Sequence, residues 1–306
     1  MKVLVLHTLA PEHVGEGRTA DEFDLHEAAQ AIGEAIPGAL VAGIRGEARE
    51  VMLQLDHHHP GVVFNLCEAP LGRPDREAHV AALLEWSDVR FTGSGSETLA
   101  LCRRKDLVRA VLRESGVPVP AKFDRAAPVF PCIVKPAAED GSACLDHDSV
   151  CDSDDALTRT LARMAGPVVV EEFLPGREFA VSLWGACRPD YASVGETIFR
   201  NDLRLVTYAA KWHVESADFA DSPLFYDSAI APELREGIMA AARGAWQAVG
   251  ARHLLRVDVR LDAAGCPRVL DVNPNPEMGP GVGISRAVTE AGWEWRDFIQ
   301  KLVAWA

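Results

Sequence analysis

The sequence predicts an α/β protein, with a parallel sheet in its first third and mixed α+β organisation after it. Three observations carry this expectation. Short β-branched runs, "KVLVLHT" at 2–8, "GVVFNL" at 61–66 and "VRFTG" at 89–93, are separated by apolar-periodic stretches, and strands that alternate with helices pair in parallel. From residue 131 the spacing tightens, as "PCIVKPA" and "PVVVEEFL" bracket a Gly/Ser/Asp-rich loop and a helix. Near the carboxyl end, "LLRVDVRLDAAGCPRVLDVNPNPE" reads as a hairpin of two alternating runs joined by a turn.

The helices follow from their punctuation. After "TGSGSE", with Ser94 or Ser96 as N-cap, one helix is expected through "TLALCRRKDLVRAVLRES" to Gly116, where the prolines beyond forbid continuation. The strands "EFAVSLWG" and "ASVGETIF" precede a helix that opens at Pro232 and closes at Gly250, and "RDFIQKLVAWA" is the last helical stretch.

The totals exclude several classes. With 306 residues, 48% of them hydrophobic and 25% charged, the chain is an ordinary globular protein of two or three domains. A net charge of -14 opposes a phosphate backbone, so nucleic acid is not an expected partner. Seven scattered cysteines with no C-x-x-C spacing suggest neither a disulfide framework nor a thiolate zinc site, and fit a cytoplasmic protein. The opening "MKVLVLHT" is too short for a signal-peptide core or a membrane span.

The chemistry starts in the hairpin. Arg256, Asp258 and Arg260 share one strand face, and Asp271 and Asn273 lie on the returning strand. With "DAAG" as a four-residue turn, Leu261 pairs with Cys266, Arg256 opposes Asp271 and Asp258 opposes Val269, so both carboxylates and the amide share a face. Buried carboxylates need compensation. Oxygen-only ligands select a hard cation, Mg²⁺ or Mn²⁺, whose shell is completed by water and phosphate. The same pattern also fits a solvated salt-bridge face, Asp258 to Arg260 and Asp271 to Arg256; the prolines after Asn273 favour the ligand reading.

A metal held this way needs a phosphate, and the chain has neither a Walker A loop nor a complete dinucleotide fingerprint. It has isolated lysines instead. Lys105 lies within an apolar helical pattern, Lys135 in mid-strand and Lys211 in "TYAAKWH", and a flexible point charge suits phosphate oxygens. Beside Lys135, Gly141 and Ser142 offer backbone N–H groups as a flap. In "VVVEEFLPGREFAV" a linker edge can read adenine and Glu178 can accept from ribose hydroxyls. Glu68, ending "VVFNL", is either a group that approaches a substrate amine or a solvated loop acid. The run "HHH" at 57–59 has no further ligand at suitable spacing and reads as surface loop.

These segments, in this order, resemble the ATP-grasp enzymes and among them the D-alanine:D-alanine ligase group. The matching stretches are "FTGSGSETLALCRRKDLVRAVLRESGVPVP", "CIVKPAAEDGSA", "VVVEEFLPGREFAV", "AAKWH" and "LLRVDVRLDAAGCPRVLDVNPNPEMGPG". The resemblance implies an ATP-grasp fold of three domains: an N-terminal α/β substrate domain at 1–96, a central lid at 97–177 and a C-terminal metal-binding domain at 178–306. It implies that Lys105, Lys135 and Lys211 hold ATP phosphates under the Ser142 loop. Glu171 would meet the adenine amino group, Phe173 and Leu174 line the base, and Glu178 bind ribose. Arg256 would stabilise an acyl-phosphate and its tetrahedral successor, while Asp258, Asp271 and Asn273 ligate two Mg²⁺ ions. The implied activity is amide formation between amino-acid or carboxylate substrates, and the family often forms homodimers. The substrate segments read differently from the family pattern, with "FNLCEAP" near residue 65 and "PNPEMGPGVG" after Asn273. An amino-acid ligase of secondary metabolism and a phosphate-transferring enzyme therefore stand beside the D-alanine reading.

Overall fold

The computed structural model describes residues 1–10, 25–138, 142, 144–226 and 228–306. In chain order its elements are β1 (Val3–Thr8), α1 (His26–Ala35), β2 (Leu40–Ile44), α2 (Ala48–His58), β3 (Val62–Leu66), α3 (Glu77–Trp86), β4 (Arg90–Phe91), α4 (Ser96–Cys102) and α5 (Lys105–Glu114). Then come β5 (Cys132–Pro136), β6 (Val150–Cys151), α6 (Asp154–Arg163), β7 (Val168–Glu172), β8 (Glu178–Gly185), β9 (Tyr191–Thr197), α7 (Tyr208–Trp212), α8 (Ala217–Ala220) and β10 (Leu224–Phe225). The chain ends with α9 (Pro232–Val249), β11 (His253–Leu261), β12 (Pro267–Asn273), α10 (Gly283–Glu290) and α11 (Trp295–Trp305).

The first sheet is parallel, in the order β2-β1-β3-β4. Its central strands are continuous apolar runs because both faces are covered. Val3, Val5 and Phe64 pack with α1, α10 and α11, whereas Leu4, Leu6 and Val63 pack with α2 and α3. Strand β2 is absent from the sequence reading. "LVAGI" forms an edge strand with Leu40 exposed and Gly43 inside, so it shows neither an apolar run nor a clean alternation.

The second sheet, β6-β5-β7, is small and antiparallel, with α6 over one face. The third, β10-β9-β8-β11-β12, is antiparallel and carries the hairpin at its edge. Helix α9 covers it, opened by Pro232 and closed by Gly250 in the left-handed region at φ 65°. Val108 and Leu112 of α5 join Ile238, Ala242 and Trp246 of α9 in the same core.

Two expectations are corrected. The single helix expected from Ser94 to Gly116 is two helices, interrupted at Arg104, which is extended (φ −100°, ψ 92°). No serine cap is formed: Gly95 is the N-cap of α4, and the Ser96 hydroxyl donates to Glu85. The break makes Lys105 the first residue of α5, where its N–H donates to the Ala137 carbonyl at 2.8 Å. A lysine expected inside a helix is thus delivered at a helix start, beside the second sheet.

The hairpin register also differs. Leu261 pairs with Pro267, not Cys266, because the Asp262 carboxylate gathers a longer turn by accepting from Ala264 N, Cys266 N and Arg268 at 2.8–3.0 Å. Continued without interruption, that register would set Asp271 against Val257, on the apolar face. Leu270 is bulged out between the Val259–Val269 and Asp258–Asp271 pairs. One extra residue reverses the side-chain parity. Asp271 therefore opposes Asp258, and Asn273 opposes Arg256.

Candidate active site

A cleft of about 410 Å³ is bounded by the second and third sheets, by α5 and by α7. Six cationic and five anionic side chains line it, so the cleft does not share the acidity of the whole chain. Anionic ligands are admitted where the global charge would repel them.

Lys105, Lys135, Lys211, Ser142, Phe173, Leu174, Glu178, Arg256, Asp258, Asp271 and Asn273 all border this cleft. Residues up to 168 positions apart in sequence are thereby brought together. Lys105 Nζ lies 3.0 Å from Asp271 Oδ2, and Arg256 Nε lies 2.8 Å from Asp258 Oδ1. Burial pushes the Asp271 carboxyl up, but Lys105, with Lys135 and Arg109 behind it, holds it net below the usual range. Desolvation and then Arg256 push the Lys211 ammonium down, against Asp258, Glu277 and Asp271. Ser142 occupies the left-handed region at φ 60°; its expected companion Gly141 lies outside the described residues.

The salt-bridge alternative named the wrong pairs. Asp258 takes Arg256, Asp271 takes Lys105, and Arg260 takes Glu178 at 3.1 Å. Burial raises the Glu178 carboxyl, with Arg260 opposing and Asp258 adding to it.

Glu171 is placed differently from the other expected residues. It is 1% exposed, is not in the cleft wall, and its Oε1 accepts from both Lys135 at 2.9 Å and Arg109 at 2.8 Å. Its Oε2 is buried with no partner. The neighbouring Glu172 points the other way along β7 and does line the cleft. Glu68 also lies outside the wall; its carboxyl is pushed up to about 7, first by burial and then by Glu277, with Lys211 opposing.

Sequence reasoning missed two supporting arginines. Arg260 donates from Nη1 to the Arg204 carbonyl at 2.8 Å and from Nε to the Gly176 carbonyl at 3.1 Å, and stacks over Phe173 and Phe199. Its signal was a strand arginine opposite a glutamate, hidden in the alternation. Arg109 is buried under the cleft, and only its i, i+4 spacing from Lys105 pointed there. The histidines at 57–59 close α2, with His59 as a left-handed C-cap.

The donors present fit a hard cation. Two carboxylates and an amide, all oxygen donors, share one face of the hairpin, and among the described residues no group of three His, Cys, Asp or Glu could hold a metal by itself. Such a half-complete oxygen set suits an ion that takes its remaining ligands from phosphate and water.

Comparisons with known proteins give the family and the fold. The family description "D-ala D-ala ligase C-terminus" matches residues 118–304. An uncharacterized protein, y4sG, of Sinorhizobium fredii is 30% identical over 253 residues, covering 79% of this chain and 74% of its own. The D-alanine–D-alanine ligase of Rhizobium meliloti is 26% identical over 272 residues, covering 83% of each chain. The crystal structure of D-alanine–D-alanine ligase from Bacillus anthracis complexed with ATP superposes with a TM-score of 0.73 at 16% identity, over 99% of this chain and 96% of that one. The fold is that of the ATP-grasp ligases. Within that class the chain belongs to the D-alanine–D-alanine ligase family, which is made up of ATP-dependent enzymes forming carbon–nitrogen bonds. Among the described residues no helix is long and apolar enough to cross a membrane.

Proposed function

We propose that this chain uses Mg²⁺ and ATP to join the carboxylate of one small amino-acid-like substrate to the amine of a second. One observation carries the reading: Asp258 and Asp271 oppose each other on the cleft face of the hairpin, each beside its own cation. In the roles proposed, Lys105, Lys135 and Lys211 hold the triphosphate, and Ser142 belongs to the loop closing over it. Phe173 and Leu174 line the base and Glu178 takes the ribose. Glu171, expected at the adenine amino group, is enclosed outside the cleft wall and instead steadies Lys135 from beneath.

Asp258, Asp271 and Asn273 are the residues that would hold divalent ions, which neutralise phosphate charge when bound. The substrate carboxylate attacks the γ-phosphorus and ADP leaves, giving an acyl phosphate. Lys105 and Lys211 screen the like charges that would keep carboxylate and phosphate apart. The amine then adds to the acyl carbon, Arg256 faces the developing oxyanion, and phosphate departs as the amide forms. Water must be kept out while the acyl phosphate survives, which suits reaction within a cleft. The three-domain division, with boundaries near 96/97 and 177/178, belongs to the same proposal, as does an intracellular place of action.

The segments that differ from the family, around Glu68 and Glu277, leave open which amino acids are joined. Mixtures of D- and L-amino acids with Mg–ATP should release phosphate for a productive pair, and the product mass should equal the two substrates less one water. Phosphate release with no condensed product would replace ligation by simple phosphoryl transfer. Full turnover in Asp258→Asn would remove the metal-dependent mechanism altogether.

A further inference from the structure

Lys105 and Arg109 lie one helical turn apart on the same side of α5. Lys105 reaches Asp271 in the cleft; Arg109 lies underneath, 6% exposed. A single Arg109 nitrogen, Nη2, donates to Glu171 Oε1 at 2.8 Å and to the Leu270 carbonyl at 2.9 Å. Glu171 belongs to the second sheet and Leu270 to the edge strand of the third. One guanidinium corner therefore joins the two sheets that bound the cleft.

The acceptor in β12 is the significant one, because Leu270 is the bulged residue. A bulge leaves its extra residue out of the ladder pairing, so the partly buried carbonyl there gains a donor from elsewhere. Arg109 supplies it. Its Nε and Nη1 are buried without partners, so the side chain is not placed for the fullest set of bonds to Glu171. The contact to Leu270 accounts for a buried arginine better than an optimised ion pair does.

We propose that Arg109 is a positioning residue that holds the Leu270 bulge in place, and so keeps Asp271 on the face of Asp258 and in register with Glu171. It touches neither reacting group. Its effect passes through the backbone of β12, since losing the bulge would turn Asp271 and Asn273 toward the apolar face. The clamp itself rests on geometry; its consequence for the nucleotide and metal rests on the ligase reading.

Hydrogen exchange on the full chain without nucleotide or metal tests the clamp directly. In Arg109→Met, amides 269–273 should exchange about tenfold faster, with β8 and β9 unchanged, because only the local opening is eased. Arg109→Lys keeps a donor at shorter reach and should accelerate the same amides by about two- to threefold. If Arg109→Met does not fold, Arg109→Lys decides by that selective change. Unchanged exchange at 269–273, or equal acceleration in β8 and β9, overturns the proposal.

Manganese titration by electron paramagnetic resonance with ADP present reads the consequence. Arg109→Met should weaken the nucleotide-dependent ion by about tenfold, as expected of a residue that orients metal ligands, and Arg109→Lys should restore part of it. A wild-type chain that binds no manganese with ADP would overturn the ligase reading, while exchange at 269–273 would still decide the clamp.

Discussion

Asp258 and Asp271 face each other across the β11–β12 pair, yet neither carboxylate is left to the other, because Arg256 holds the first and Lys105 the second. Two acids directly opposite on antiparallel strands repel. Lys105→Met should therefore destabilise the metal-free protein by about 1–2 kcal/mol, less than a fully buried pair because Asp271 is partly open to the cleft. Urea unfolding in EDTA measures this, and Mg²⁺ with ADP should recover part of the loss. Identical midpoints for variant and wild type would show that Asp271 does not depend on Lys105.

Lys135 is buried in the wall and neutralises part of Glu171. Lys135→Ala should weaken nucleotide binding by roughly 10–100-fold, the worth of a hydrogen bond to a charged group, about 1.5–3 kcal/mol. Fluorescence titration with a labelled ATP analogue checks it. An unaltered dissociation constant would place the phosphates elsewhere.

Burial, with Glu277 beside it, pushes the Glu68 carboxyl up from the ordinary 4.5 to about 7, so the folded protein should hold a proton that the unfolded chain has lost between those values. Stability attributable to this group falls as pH rises from about 4.5 to about 7 and is constant above. Glu68→Gln should be more stable than wild type at pH 8, by on the order of 1–3 kcal/mol, and indistinguishable at pH 4. Denaturant unfolding at both pH values reads the difference. If Glu68 also meets the substrate amine, Glu68→Gln loses the ascending limb of kcat/KM near pH 7.

His253 bears the opposite sign. Its Nδ1 accepts from Gly93 N–H at 3.0 Å, and burial followed by Arg252 lowers its pKa to about 4. The unfolded chain takes up a proton that the folded one refuses, so stability declines as pH falls from about 6.5 to about 4. His253→Asn tolerates the left-handed backbone there and supplies a neutral acceptor, so it should flatten that decline. An unchanged acid limb would relieve His253 of the role.

The parallel sheet, the strands around Lys135 and Glu178, and helix α9 were legible because their burial matches a period in the sequence. The cleft residues were legible as isolated charges in apolar runs. Register was not. The Leu270 bulge depends on Asp262 lengthening a turn and on Arg109 meeting a distant carbonyl, and neither leaves a periodic trace. Arg260 was hidden for a similar reason, since its partners Gly176 and Arg204 contribute backbone carbonyls. Glu171 and Glu172 differ only in strand parity, which placed one beneath the wall and the other in it.

The packing of Phe298, Leu302 and Val303 against Val3 and Val5 bears on how the protein is made. During synthesis α1 can cover part of this face soon after the first strand, whereas α11 follows much later, so the remaining part of the face stays unshielded until that helix is made. Chaperone dependence and sensitivity to carboxyl-terminal truncation should both trace to this late closure.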